Sequence, residues 1–279
     1  MARERMVEHH GHRLHVVEHP GTEPAIVLMH GFPDNLHLYD RVVPQLAGRR
    51  VVAFDFLGWG RSDKPPGYPH TATNQVGEVE AVMDGLALEQ AVLVAHDASG
   101  PPAIDWAVAH PERVSGLVLL NTYYGWHPAL RAPEAIALYS TPLVRTIARA
   151  VVRRNERLDE KLFAWQVGRF IRDEAARAEL VPRLYADFRA ARPAFWRLND
   201  DLLGTVISRR LRSRRLRHFD RPVRIVFGDA DPYLNRRVAW RLHRLLPTSD
   251  LHLLATARHY VQVDEPGRVA ELIASIGAR

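Results

Sequence analysis

Asp97, His259 and Asp231 are the residues of this 279-residue chain whose types and spacing could carry chemistry. Asp97 lies in "VLVAHDASGPPAIDWA", which reads as a strand, a tight turn and a helix. A sharp strand-to-helix turn needs small residues around its apex, and Ala95, Ser99 and Gly100 flank the acid. That spacing sets Asp97 where a nucleophile would stand. The N–H groups that open the following helix favour an anion there. A carboxylate is a weak base, but it can attack an electrophilic carbon and form an ester that water then cleaves. Ser99 is the alternative centre of the turn, although that register puts Asp97 where a small residue belongs.

Cleaving such an ester requires a base, an acid to orient it and donors for an oxyanion. "RHYVQVDEP" supplies His259 after the apolar run "LHLLATA". "DADPYL" follows "VRIVFG" and offers Asp231 as the orienting acid, with Asp229 as the alternative. In "VLMHGFPDN", Gly31 permits a turn from which the backbone N–H of Phe32 can face an oxyanion. The N–H of Ala98 is the second candidate donor. A lone histidine near a C-terminus is ordinarily surface or structure, and His-Gly before a proline is often only a turn. In nucleophile–acid–base order, each after an expected strand, they form one constellation.

The elements that must position them alternate. Strands are expected at 14–17, 25–29, 51–54, 91–95, 116–120, 223–227 and 251–254, mostly as continuous apolar runs suited to strands covered on both faces. Helices are expected near 36–46, 75–86, 101–109, 236–246 and 266–276. This rhythm predicts an α/β fold with a mostly parallel sheet flanked by helices. It breaks between Asn121 and Arg221, where arginine-rich helical sequence with scattered aromatics holds no convincing strand. A structureless loop of that length is improbable. The chain therefore divides into a core, 1–120 and 222–279, and an inserted helical cap, 121–221. The basic run "SRRLRSRRLRH" in the cap reads first as a solvated helix face, with an anion-binding or partner-binding patch as the alternative.

Composition narrows the classes. An apolar content of 47% supports one large domain with an inserted subdomain. The net charge of +6 comes almost entirely from arginine, and 32 acidic residues offset it. No aromatic-basic motif of a nucleic-acid module is present. The absence of cysteine excludes disulfides, thiolate catalysis and zinc–cysteine sites. The first residues hold no apolar signal segment, and the apolar runs are too short for a membrane span. A cytoplasmic location is the default expectation. The histidines at 9, 10 and 12 precede the sheet core and are not expected to hold a metal.

"HGFPDN", "DFLGWGRSDKP", "AHDASG", "GDADPY" and "RHYVQVDEP" resemble motifs of the α/β-hydrolase-fold superfamily, in its epoxide hydrolase and haloalkane dehalogenase branch. The likeness runs over nearly the whole chain. It implies Asp97 as nucleophile, His259 as the water-activating base, Asp231 as its partner, and Phe32 and Ala98 as oxyanion donors. His30 and His96 match positions that are usually structural in the family.

The departures from the family pattern bear on the leaving group. Many members carry Trp after the nucleophile, where haloalkane dehalogenases use its indole to hold the halide; here the position is Ala98. Those enzymes often place Asn or another donor after His-Gly, where this chain has Phe32. Fluoroacetate dehalogenases have Arg where this chain has Ala98. Epoxide hydrolases use cap tyrosines to assist the departing alkoxide. The insertion offers Tyr123, Tyr124, Tyr139 and Tyr185 for that role, and Trp126, Trp165 and Trp196 as halide donors.

The resemblance thus implies an Asp-nucleophile hydrolase, first an epoxide hydrolase opening an apolar epoxide to a diol. The alternatives are a haloalkane or haloacid dehalogenase with an atypical halide site, and a non-catalytic ligand-binding relative. The expected partners are a small apolar organic substrate and water, with no cofactor, metal, nucleic acid or membrane. The oligomeric state stays open.

Overall fold

A computed structural model describes residues 2–276. Eight strands form one sheet: β1 (Arg3–His9), β2 (His12–His19), β3 (Thr22–Met29), β4 (Arg49–Phe54), β5 (Ala91–Asp97), β6 (Val114–Thr122), β7 (Val223–Gly228) and β8 (Ser249–Leu254). Their spatial order is β1-β2-β4-β3-β5-β6-β7-β8. The pairs β1/β2 and β2/β4 are antiparallel, and all others are parallel. Residues 91–96 of β5 are all buried, as an apolar run without alternation requires.

The first strand is absent from the expected list. "RERMVEH" is mostly charged, and only Val7 and His9 in it are buried. It is an edge strand held by a hairpin in which Val7 pairs with Leu14. Charge on an edge discourages pairing with another chain, and it also erases the apolar signal.

The helix expected at 36–46 is instead two short 3₁₀ turns, Leu36–Tyr39 and Val43–Leu46. Pro44, at the start of the second turn, cannot donate the hydrogen bond that a continuous helix needs. The remaining core helices follow the periodicity. They are α1 (Ala72–Gly85), α2 (Gly100–Ala109), α7 (Arg236–Leu245), the short α8 (Val261–Asp264) and α9 (Pro266–Ala274). Thr71 caps α1 by accepting the N–H of Asn74 at 3.2 Å.

Between β6 and β7 the chain is helical: α3 (Glu134–Ser140), α4 (Val144–Arg154), α5 (Glu156–Gly168) and α6 (Glu174–Arg212). α6 holds Pro182 and Pro193 within its 39 residues, each removing one ladder donor. The basic run leaves α6 into a 3₁₀ turn, Ser213–His218. It is not uniformly solvated. Arg209 is 2% exposed and pairs with Asp105 of α2 at 2.6 Å. Asp105 also accepts from Tyr124 Oη, so the ion pair ties α6 to the core. Among the described residues no single helix is long and apolar enough to cross a membrane.

The strand order locates a site. From β3 the chain moves outward to β4, then returns across β3 to β5. The C-terminal ends of β3 and β5 therefore flank the point where the winding reverses, the crevice where open α/β sheets bind ligands.

Candidate active site

β5 ends at Asp97, whose φ is +50°. Few non-glycine residues adopt this left-handed region, and Asp is among the tolerant ones. The turn stands the side chain up from the sheet edge before α2 begins. Small residues make the turn possible. A Cβ on Gly100 would overlap Thr122 Oγ1, which itself donates to the Asp97 carbonyl. A Cβ on Gly31 would lie 2.8 Å from both Asp97 Cβ and His96 Nδ1. The loop after β3 thus comes close enough for the N–H of Phe32 to approach Asp97 Oδ2 at 3.4 Å. Burial raises the Asp97 pKa, while His259 and the N–H groups of Ala98 and Phe32 oppose that shift.

Ser99, the alternative centre of the turn, is fully buried. Its Oγ accepts the N–H of His96 at 2.9 Å and donates to the His96 carbonyl at 2.7 Å. It holds the turn together.

His259 sits on the loop after β8, and its Nδ1 donates to Asp231 Oδ2 at 2.7 Å. That bond fixes the tautomer and aims Nε2 at Asp97 Oδ1, 3.8 Å away. The gap exceeds a hydrogen bond. Burial opposes a charge on His259, but the carboxylates of Asp231, Asp97 and Asp34 outweigh it and lift the imidazole to about 9. Asp231 is held in turn, with Oδ1 accepting the N–H of Tyr233 and Oδ2 accepting Asn121 Nδ2. Burial raises its pKa less than His259 and these donors lower it. Asp229, the alternative acid, pairs instead with Arg236. His96 donates from Nε2 to the His259 carbonyl at 3.1 Å, and His30 donates from Nδ1 to the Gly31 carbonyl at 2.7 Å. Both rings brace the loops around the carboxylate.

Several contributors were not singled out in the sequence. Asn121 ends the apolar run of β6 with φ +30° and clamps Asp231 to the Gly228 N–H. The only sequence signal was a polar residue closing an apolar strand. Phe170, from the loop after α5, packs against His259 at a tilt of 54°, with ring centroids 4.8 Å apart. Asp34 is buried and accepts from Tyr260 Oη. Burial pushes it up to about 7 despite that hydrogen bond. Asp264 accepts the N–H groups of Arg258 and Arg172, fastening the His259 loop to the insertion.

Above Asp97 and His259 lies a cavity of about 130 Å³. The core lines it with Phe32, Pro33, Asp97 and His259, and the insertion lines it mainly with apolar side chains from α3, α5 and α6. Of the aromatic candidates, Tyr139 and Trp165 reach the cavity. The Tyr139 hydroxyl makes no hydrogen bond among the described residues. The others lie elsewhere. Tyr123 is buried near Asp97, whose charge helps burial to raise its pKa. Tyr124 is bound to Asp105, and Trp126 is half exposed outside the cavity. Tyr185 donates to the Glu156 carbonyl at 3.2 Å, and Trp196 lies under Arg149 and Arg153.

A doubly wound sheet with an acid–histidine–acid set at its strand ends defines an α/β-hydrolase architecture. Residues 24–266 match the alpha/beta hydrolase fold family, and the chain belongs to it. It is 28% identical over 274 residues to haloalkane dehalogenase 2 of Mycobacterium tuberculosis, covering 94% of this chain and 90% of that protein. It is 35% identical over 135 residues to epoxide hydrolase B of the same organism, covering 46% of this chain and 38% of that protein. The haloalkane dehalogenase DatA of Agrobacterium tumefaciens C58 has a similar fold, with a TM-score of 0.83 and 22% identity, over 98% of this chain and 95% of that one. The protein is thus an α/β-hydrolase related to haloalkane dehalogenases and epoxide hydrolases.

Proposed function

We propose that this protein hydrolyses apolar epoxides to diols through an ester on Asp97. The observation that carries this reading is the pairing of one cavity's two ends. At the core end the Asp97 carboxylate faces His259 Nε2, and on the wall from α3 stands Tyr139, whose hydroxyl has no partner among the described residues. In the first step an Asp97 oxygen bonds to an epoxide carbon, the ring C–O bond breaks, and the alkoxide takes the Tyr139 proton. In the second, His259 Nε2 removes a proton from water as its oxygen bonds to Asp97 Cγ. The N–H groups of Phe32 and Ala98 hold the oxyanion. The intermediate collapses, the alcohol oxygen leaves with the proton from His259, and the Asp97 carboxyl proton restores Tyr139.

Esterification also sets the base. Asp97 loses its negative charge in the ester, so one of the charges that raise His259 disappears. The imidazole becomes neutral, and able to accept a proton, at a lower pH than in the free protein.

Dehalogenation is the second reading. It is favoured by the full-length likeness to haloalkane dehalogenase 2 and by the Trp165 indole on the cavity wall. Ala98 and Phe32 give no side-chain donor beside the nucleophile, which weighs against it. A ligand-binding role without catalysis leaves the clamped histidine and its two acids without a purpose. A panel of epoxides and haloalkanes, scored for diol against free halide, tests the assignment. Diol as the main product supports it; rapid halide release with no diol from any epoxide reverses the two readings.

A further inference from the structure

The wall supplied by α5 holds a polar group that the proposed reaction does not use. Asp159, in the first turn of α5, lines the cavity and is 3% exposed. Its Oδ2 accepts from Arg192 at 2.6 Å and from Tyr185 Oη at 3.3 Å. Its Oδ1 has no hydrogen-bond partner among the described residues. Around it the wall is apolar, with Leu162, Phe163, Phe188 and Phe195. An ion pair that only tied α5 to α6 would need no carboxylate on the cavity surface. Among apolar side chains a hydrogen bond to a carboxylate is stronger than one at the surface, so a donor that reaches that oxygen from the cavity gains by it.

We propose that Asp159 Oδ1 is a specificity group, accepting a hydrogen bond from an uncharged donor, a hydroxyl or amide N–H, on a part of the substrate other than the carbon attacked. This rests on reading the cavity as the substrate site. The charge of the donor follows from Arg192. That guanidinium already neutralises Asp159, so an ammonium group would lose its hydration for little Coulomb gain. A substrate carboxylate would be repelled by Asp97 and has no proton to donate to Asp159 Oδ1. The substrate class narrows to apolar epoxides bearing a hydroxyl or amide, as distinct from plain hydrocarbon epoxides and epoxy acids.

The test uses unreactive ligands, so its outcome is separate from that of the epoxide assay. Binding of phenylbutanol, its methyl ether and phenylbutanoate to the wild-type protein is measured by titration calorimetry. The alcohol should bind about tenfold tighter than the ether, the scale of one hydrogen bond to a charged acceptor. The carboxylate should bind most weakly. In Asp159→Asn the amide oxygen turns to Arg192, and its NH₂ faces the cavity. The ether then gains a donor, and the alcohol's advantage should vanish or invert. If Asp159→Asn does not fold, the double variant Asp159→Leu/Arg192→Met removes the pair as a unit and should bind alcohol and ether equally. Equal binding of alcohol and ether by the wild-type protein, or an alcohol preference unchanged in the variants, would overturn the proposal. Diol production without an alcohol preference would refute this inference alone. An alcohol preference without diol production would refute the epoxide reading alone.

Discussion

The two halves of the cavity are built differently. At the core end the reacting groups are fixed by backbone. Asp97 stands on a turn with φ +50°, Asp231 is clamped by Asn121 and the Tyr233 N–H, and His259 is held at both its ring and its carbonyl. At the insertion end the wall is made of side chains from helices, mostly apolar, with Tyr139 and Asp159 each holding a polar atom that has no partner among the described residues. The histidine and the acid behind it are held by several hydrogen bonds each, and the turn fixes Asp97. Groups that meet a variable ligand are left open. The strand ends fix the reacting groups, and the helices shape what reaches them.

The comparison breaks first at Asp97. Asp97→Asn should abolish turnover, by about 10⁴-fold or more, while the melting temperature stays equal or rises. Asn suits the left-handed turn as well as Asp does. A variant that unfolds would mean that the carboxylate is structural. His259→Gln should reduce steady-state turnover on a similar scale yet still form the ester, seen by intact mass as an adduct on a peptide containing Asp97. An adduct on Ser99 would move the nucleophile.

At the insertion end the effects should be smaller. Tyr139→Phe should slow epoxide opening by about 10²-fold, the lower range for a general acid. Hydrolysis of the ester, measured separately, should stay within a few-fold. Equal loss in both steps would mean that Tyr139 only shapes the cavity. Asn121→Ala probes the clamp behind the base. It should lower kcat about tenfold, as expected for one hydrogen bond to a charged group. Without that donor Asp231 binds the imidazolium more strongly, so the acid limb of ester hydrolysis should move to higher pH. A stability loss with an unmoved limb would make Asn121 purely structural. The smallest effect is a titration shift. The His259 pKa of about 9 should fall in Asp97→Asn, followed by NMR, because one of the charges that raise it is removed. A pKa that rises or stays fixed contradicts the electrostatic account of the base.

The same contrast explains what could be read from the sequence. The core end was legible because a sharp turn restricts residue type. Gly100, where a Cβ would overlap Thr122, and Gly31, where it would crowd Asp97 and His96, leave no room for a larger residue. The parallel strands were legible because burial on both faces makes them continuously apolar. β1 was not, since its charged edge leaves only Val7 and His9 buried. Pro44 breaks the expected helix at 36–46 in a way that apolar periodicity does not register. The insertion kept its helical character but hid its site. Seven aromatics were candidates in the sequence, and two of them, Tyr139 and Trp165, line the cavity. A helix side chain's destination depends on tertiary packing, which no local spacing encodes. Asp159 was invisible for the same reason, being one acid among 32 until α6 brings Arg192 beside it.

The central claim is that Asp97 attacks carbon and that water reaches the product only through its carboxylate. A single turnover in ¹⁸O-water, with protein in excess over an epoxide, tests it most directly. The account predicts unlabelled oxygen at the attacked carbon of the diol, with the label in the Asp97 carboxylate and in product only on later turnovers. Label at the attacked carbon in the first turnover would contradict it, making water the nucleophile and Asp97 a base or a structural acid.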